Sequence, residues 1–188
     1  TNFGFHSPDS LAKPMGLKAN PGLLMALTSL VAMGPATPFP VGPAWPMGAW
    51  LMVDKVTADI KGPGRAWGKT TVNPGAWFFK AHFPQDPVWP GSLGLEGFLQ
   101  VAKFLWAAIN KPDIDPGELK ACWQAPVPGQ SHQWLYRGQI IPFNKDVTFG
   151  LKVASSENRR LALTGLLWVD NQVVYQVDNL TVSATNGP

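Results

Sequence analysis

The sequence predicts an α+β domain in which a mostly antiparallel sheet covers one buried helix. The helix is predicted over residues 92–109, a run without proline whose apolar side chains fall on nearly every face. Asp170-Asn171, between two apolar runs, predicts a tight hairpin turn. Strands are predicted where β-branched and aromatic residues cluster between turn residues, over 50–60, 65–72, 119–124, 133–141, 147–155, 161–169 and 173–183.

The first 44 residues differ from the rest of the chain. Proline and glycine recur throughout residues 1–44, which predicts an extended arm or linker, with one short helix over residues 23–33 that docks by its leucines. Residues 45–188 form the predicted body. The chain starts with Thr1 instead of Met, so we expect a domain cut from a longer polypeptide.

Composition narrows the classes of function. The net charge is +3 and no stretch is a Lys/Arg-rich arm, which argues against nucleic-acid binding but permits an acidic protein partner. We find no secretory signal and no apolar run that could span a membrane, and we expect a cytoplasmic protein. The single cysteine, Cys122, rules out an internal disulfide and is expected to be a small buried residue.

A narrow polar stripe runs along the predicted helix. Ser92, Glu96, Gln100 and Lys103 follow one another at spacings of four, four and three residues, which places them on one face. The stripe has two interpretations. Either it is the solvent-facing edge of the helix, or it carries chemistry, since burying such groups without partners is costly.

A stiff loop joins His82 to the start of this helix. His82 lies in an aromatic run that we place on a strand, and three prolines restrict the backbone of residues 84–90. Ser92 is the expected N-cap, and the amides of Gly91 and Ser92 lack intrahelical acceptors. His82 is either structural or a base that takes up a proton near neutral pH.

These residue types together fit one reaction class. Amides at a helix start stabilise negative charge that develops on a thioester oxygen, and a carboxyl group in apolar surroundings can deliver a proton to a leaving hydroxyl. A base at His82, an acid at Glu96 and the amide donors therefore indicate elimination of water beside a carbonyl.

The segment WFFKAHFPQDPVWPGSLGLEGFLQ, residues 77–100, closely resembles the active-site signature of bacterial β-hydroxydecanoyl-carrier-protein dehydratase/isomerases. It is more similar still to the dehydratase domains of polyunsaturated fatty acid synthases. Weaker likeness at residues 45–56 and 158–175 extends the resemblance to about three quarters of the chain. The matching positions are His82, Phe83, Asp86, Pro87, Val88, Pro90, Gly91, Ser92, Leu93, Gly94 and Glu96, with Gln100 one turn beyond.

The resemblance implies a hotdog fold, in which an antiparallel sheet wraps a long central helix. It implies that His82 is the base at C2, that Glu96 is the acid at the β-hydroxyl, and that the Gly91 amide binds the thioester carbonyl. The Val88 carbonyl would orient the imidazole, and Ser92 and Gln100 would complete the substrate site. No metal or organic cofactor is implied, because the substrate is carried on the phosphopantetheine arm of an acyl carrier protein.

The resemblance also implies partners. Two hotdogs pair so that the His of one faces the acid of the other, and the second hotdog is either another copy or a neighbouring domain. Basic residues dock the acidic carrier protein in this family, and Arg159 and Arg160 are the matching candidates, although paired arginines at a strand end are usually a solvated edge.

Two positions depart from the bifunctional enzymes, which usually carry Asp where Glu96 stands and Cys where Ser92 stands. Dehydration is therefore expected, and double-bond isomerisation is left open. The alternatives are a hotdog thioesterase that uses an acid to activate water, and a non-catalytic hotdog with a structural role in a larger synthase. Acyl chain length is not readable from the sequence.

Overall fold

The computed structural model describes residues 16–31, 35–83 and 85–187. Short 3-10 turns lie at Gly48–Trp50 and Pro116–Glu118, and among the described residues no helix is long and apolar enough to cross a membrane. The helices are α1 (Pro21–Val31), α2 (Trp77–Ala81) and α3 (Gly91–Asn110). The strands are β1 (Thr37–Pro38), β2 (Lys55–Asp59), β3 (Arg65–Thr71), β4 (Ala121–Gln124), β5 (Gln133–Tyr136), β6 (Asp146–Glu157), β7 (Arg160–Val169) and β8 (Gln172–Asn186).

The eight strands form one antiparallel sheet in the order β1-β2-β3-β6-β7-β8-β4, with β5 also paired to β8. The predicted hairpin turn between β7 and β8 is confirmed. Asp170 and Asn171 both adopt left-handed backbone conformations, with φ of 47° and 77°, as a two-residue turn between twisted strands requires. The sheet and its central helix confirm the predicted α+β hotdog architecture.

Helix α3 lies against the sheet and is buried along most of its length, as its apolar pattern predicted. Two glycines allow the close approach. A Cβ atom on Gly94 would lie 2.3 Å from the ring of Tyr175, and one on Gly97 would lie 2.3 Å from the ring of Phe149. The helix backbone therefore sits directly on two aromatic rings of the sheet.

Helix α1 covers the other face of the sheet. Because successive strand residues point to opposite faces, Phe149 faces α3 whereas a side chain at Gly150 would face Trp168 and Leu27. Leu27 is fully buried against Leu166, Trp168 and Val173. The predicted docking of a short N-terminal helix by its leucines is thus confirmed, with the helix starting at Pro21, two residues earlier than expected.

Several local predictions were wrong. The first predicted strand begins only at Lys55, because Gly48–Trp50 forms a 3-10 turn, and the fourth ends at Tyr136 instead of residue 141. The aromatic run before His82 is helix α2 and not a strand. Pro90 is the residue that precedes α3, so Ser92 lies inside the helix and is not its N-cap.

Cys122 is exposed and not buried. It lies on β4, a four-residue strand at the end of the sheet whose side chains alternate between solvent and the protein. The neighbouring Trp123 packs against Trp45 and Trp106, which turns Cys122 outward.

Candidate active site

His82 lies directly after α2, where its backbone N–H donates to the Phe78 carbonyl at 2.8 Å. Its side chain is partly buried, and Nδ1 lies 3.1 Å from the Val88 carbonyl oxygen. A carbonyl can only accept, so this contact requires a proton on Nδ1 and leaves Nε2 of a neutral ring free to take up another. The sequence placed both residues in the site, and the structure brings them into contact.

Phe83 follows His82 in a left-handed backbone conformation, with φ of 53°. Such a conformation is uncommon for an aromatic residue and is typically found where function fixes the backbone. Its ring lies 4.4 Å from the imidazole, centroid to centroid, and 53% of the residue is exposed. The chain therefore bends sharply beside the imidazole and presents an aromatic ring to solvent.

The start of α3 supplies backbone donors. The amides of Leu93 and Gly94 donate to the Pro90 carbonyl at 2.9 and 3.3 Å. Within the described part of the chain, the amides of Gly91 and Ser92 have no acceptor. Free N–H groups and the positive end of the helix dipole form a site for an oxygen that carries negative charge.

Glu96 and Gln100 are one turn apart on α3 and are joined by a hydrogen bond. The fully buried Gln100 donates from Nε2 to Glu96 Oε1 at 3.1 Å and to the Trp50 carbonyl at 2.8 Å. Its Oε1 accepts from the Met52 amide at 2.9 Å. The amide of Gln100 thus fixes the partly buried Glu96 carboxyl relative to the chain at residues 50–52, which the sequence did not reveal because those partners are backbone atoms.

The structure divides the predicted polar stripe. Gln100 points inward, Glu96 and Lys103 are partly buried, and Ser92 is exposed. Within the described residues, no hydrogen bond or ion pair joins Glu96 to His82. The candidate base and the candidate acid of one chain are therefore held by separate sets of contacts.

Arg159 and Arg160 lie at the turn between β6 and β7. The Arg159 guanidinium stacks over the Trp106 ring at 5.5 Å from its centroid, and the backbone carbonyl of Arg159 accepts a hydrogen bond from the indole N–H of Trp106. Arg160 pairs with Glu157 at 3.2 Å. Trp106 is fifteen residues beyond Gly91, about 22 Å along the helix, so the structure does not bring these arginines to His82 of the same chain.

An open cavity of about 320 Å³ also lies far from His82. It is at the C-terminal end of α3 and is lined by Phe104, Ala107, Lys111 and Ile114, among others.

Two residues near the start of α3, Trp134 and Tyr136 on β5, were not predicted as site residues. Both would contact a Cβ atom on Gly91. Their aromatic alternation predicted only a strand.

Known proteins resemble this chain in sequence and in fold. The chain is 33% identical over 150 residues to a polypeptide of the polyunsaturated fatty acid synthase of Thraustochytrium sp. (strain ATCC 26185 / S-3). This match covers 72% of the chain but only 9% of that protein, so the chain spans less than a tenth of the relative's length.

Two solved structures share the hotdog fold. The dehydratase heterocomplex ApeI:P from Xenorhabdus doucetiae matches with a TM-score of 0.54 and 11% identity, over 75% of this chain and 87% of that one. The yhdA protein of Lactococcus lactis, a thioesterase candidate, matches with a TM-score of 0.51 and 12% identity, over 71% of this chain and 91% of that one.

A family match covers the candidate site as a whole. The sequence model of the FabA-like domain matches residues 45–178, which include His82, the loop to Gly91, Glu96 and Gln100. The chain therefore belongs to the FabA-like domain family, a dehydratase-type branch of the hotdog fold.

Proposed function

We propose that this domain removes water from a (3R)-hydroxyacyl thioester on acyl carrier protein and produces the trans-2-enoyl thioester in polyunsaturated fatty acid synthesis. The observation that carries the proposal is the His82 imidazole, held by the carbonyl of Val88, three residues before a helix whose Gly91 and Ser92 amides are free of described acceptors. Family membership supports the same reaction class.

In the proposed reaction, Nε2 of His82 takes the proton from C2 of the substrate. The Gly91 amide, with Ser92 beside it, stabilises the charge that develops on the thioester oxygen. Glu96 donates a proton to the β-hydroxyl, which leaves as water while the double bond forms between C2 and C3. Gln100 orients the Glu96 carboxyl through its 3.1 Å hydrogen bond.

We propose that the site is completed by a second hotdog, either another copy or a neighbouring domain. Since Glu96 has no described contact with His82 of its own chain, a paired domain would bring a second base or acid to each half. Three exposed aromatic residues near these groups, Trp50, Trp77 and Phe83, offer an apolar surface for such a partner.

The pairing has a direct test. If two copies share their sites, mixing His82→Ala and Glu96→Ala proteins restores up to about a quarter of wild-type activity through random exchange of protomers. No recovery in a mixture shown to exchange protomers would place base and acid in one chain or assign the partner role to another domain.

The acidic carrier protein is the proposed macromolecular partner, with Arg159 and Arg160 as the docking candidates. The Arg159 side chain is already stacked on Trp106, and Arg160 is partly neutralised by Glu157. Because the two arginines lie far from His82 of their own chain, they would serve the site of the paired hotdog.

A thioesterase is the second candidate, favoured by the fold likeness to yhdA and by an acidic side chain that could activate water.

The experiment that distinguishes the two reactions incubates the protein with a (3R)-hydroxyacyl carrier protein and follows the product by mass spectrometry. We expect the wild-type protein to remove water. His82→Ala and Glu96→Ala should abolish this reaction, and the controls His132→Ala and Glu118→Ala should retain it. Free acid without an enoyl product would establish the thioesterase instead.

A further inference from the structure

Three aromatic side chains with polar atoms pack beside the start of α3. Trp134 and Tyr136 lie on β5, and Tyr136 is directly opposite Tyr175 of β8. The ring centroids of Tyr136 and Tyr175 are 4.7 Å apart, and those of Trp134 and Tyr175 are 5.9 Å apart. A Cβ atom on Gly91 would lie 3.3 Å from Cε2 of Tyr136, so this ring adjoins the proposed oxyanion donor.

The hydroxyl of Tyr175 is enclosed. The residue is fully buried, and its oxygen forms no well-aligned hydrogen bond with any residue that the structure describes. The Tyr136 hydroxyl is close enough to influence its protonation, and the buried indole N–H of Trp134, whose ring also packs against Tyr175, is likewise without a partner among the described residues. Burial raises the pKa of the Tyr175 hydroxyl and also that of Tyr136, so both groups keep their protons at physiological pH.

The burial of Tyr175 fixes the direction of the Tyr136 proton. If Tyr136 donated to Tyr175, the Tyr175 proton would be left inside the protein without an acceptor, which is unfavourable. If Tyr175 donates to the Tyr136 oxygen instead, that cost is avoided. The proton of the partly exposed Tyr136 then points away from Tyr175 and is available to a ligand.

Resting on the function proposed above, we infer that the Tyr136 hydroxyl binds the substrate by donating to the first amide carbonyl of the pantetheine arm. The contact between the Tyr136 ring and a Cβ atom on Gly91 keeps the Tyr136 hydroxyl within about 7 Å of the Gly91 α-carbon. The thioester carbon and the first amide carbon of the arm are about 6 Å apart when extended. A thioester oxygen on the Gly91 amide therefore places the amide within reach of Tyr136.

Equilibrium binding tests this inference without requiring the reaction. The probes are hexanoyl N-acetylcysteamine thioester, which carries the amide, and hexanoyl ethyl thioester, which lacks it; neither has a hydroxyl to lose. Tyr136→Phe is expected to raise the Kd of the first probe about threefold to tenfold, the loss of one neutral hydrogen bond, and to leave the Kd of the second within twofold. The matched control Thr57→Val removes a hydroxyl at the cavity near the C-terminal end of α3, away from Gly91, and is expected to bind both probes as the wild type does.

Three results would overturn the inference. These are unchanged affinity of Tyr136→Phe for both probes, an equal loss for both probes, or an equal loss in Thr57→Val. Thermal melts of all three proteins verify that each is folded. If the Kd values behave as expected but the wild type never dehydrates a hydroxyacyl thioester, the proposed reaction is wrong and the binding role of Tyr136 stands.

Discussion

Replacing Gln100 with Leu removes three hydrogen bonds at once while keeping a side chain of similar volume. The Met52 amide, which is buried, loses its acceptor, the Trp50 carbonyl loses its donor, and Glu96 loses the contact that orients it. A buried polar group left without a partner costs about 1–3 kcal/mol, and the Trp50 carbonyl, nearer to solvent, costs less. We expect the free energy of unfolding to fall by about 2–4 kcal/mol.

For a domain of this size, that loss lowers the Tm by roughly 5–12 °C. Urea and thermal unfolding measure it, and the exposed Gln130→Leu is the matched control, expected to change the Tm by less than about 2 °C. Dehydration should fall about tenfold at a temperature where Gln100→Leu is still folded, because the Glu96 carboxyl is no longer held. A variant as stable and as active as the wild type would refute the assignment of Gln100 as the residue that positions the acid.

Three further predictions concern the fold around the site. Gly97→Ala should lower the free energy of unfolding by about 1–3 kcal/mol in urea, since its Cβ would lie 2.3 Å from the Phe149 ring; wild-type stability would mean that α3 is not seated on that ring. Leu27→Ala should lower the free energy of unfolding by about 2–4 kcal/mol, whereas Met25→Ala, on the exposed side of α1, should lower it by less than about 0.5 kcal/mol. Equal effects of the two substitutions would contradict the docking of α1. Burial pushes the pKa of Asp170 upward, but hydrogen bonds from the Asp146 amide, Asn144 and the Lys145 amide outweigh it and hold the pKa below its usual value. A carboxyl group whose pKa is lower in the folded state than in the unfolded state stabilises the fold above the unfolded pKa of about 4, and this stabilisation is lost as the pH falls. Lowering the pH should therefore destabilise the wild type more than Asp170→Asn. Parallel curves of unfolding free energy against pH for the two proteins would contradict this.

The parts of the fold that hydrophobic pattern determines were predictable. The central helix was placed within one residue of its observed bounds because eighteen apolar-rich residues without proline permit little else. The Asp170-Asn171 turn followed from two residue types that tolerate left-handed backbone. Helix α2 was missed because its five residues are too few for a helical period to stand out from an aromatic run.

Some features of the candidate site could likewise be predicted from the sequence and others could not. The motif from His82 to Glu96 is contiguous in sequence, so its residues could be named in advance. Two other features join segments about 45–50 residues apart in the sequence: the contacts of Gln100 with residues 50 and 52, and the packing of Tyr136 beside Gly91. They could not be predicted, because the contacting groups are backbone atoms or ring edges, which produce no sequence motif. The Ser92 N-cap was wrong because Pro90, which cannot cap by a side chain, precedes the helix.

The central claim, that this domain exchanges water with C3 of a thioester-bound acyl chain, has a direct isotopic test. The protein is incubated with a trans-2-enoyl carrier protein in water enriched in ¹⁸O, because a dehydratase also catalyses the reverse hydration. We predict ¹⁸O at C3 of a 3-hydroxyacyl thioester in the wild type and none in His82→Ala. Heavy oxygen found only in the carboxylate of a free acid, or in no product, would contradict the claim.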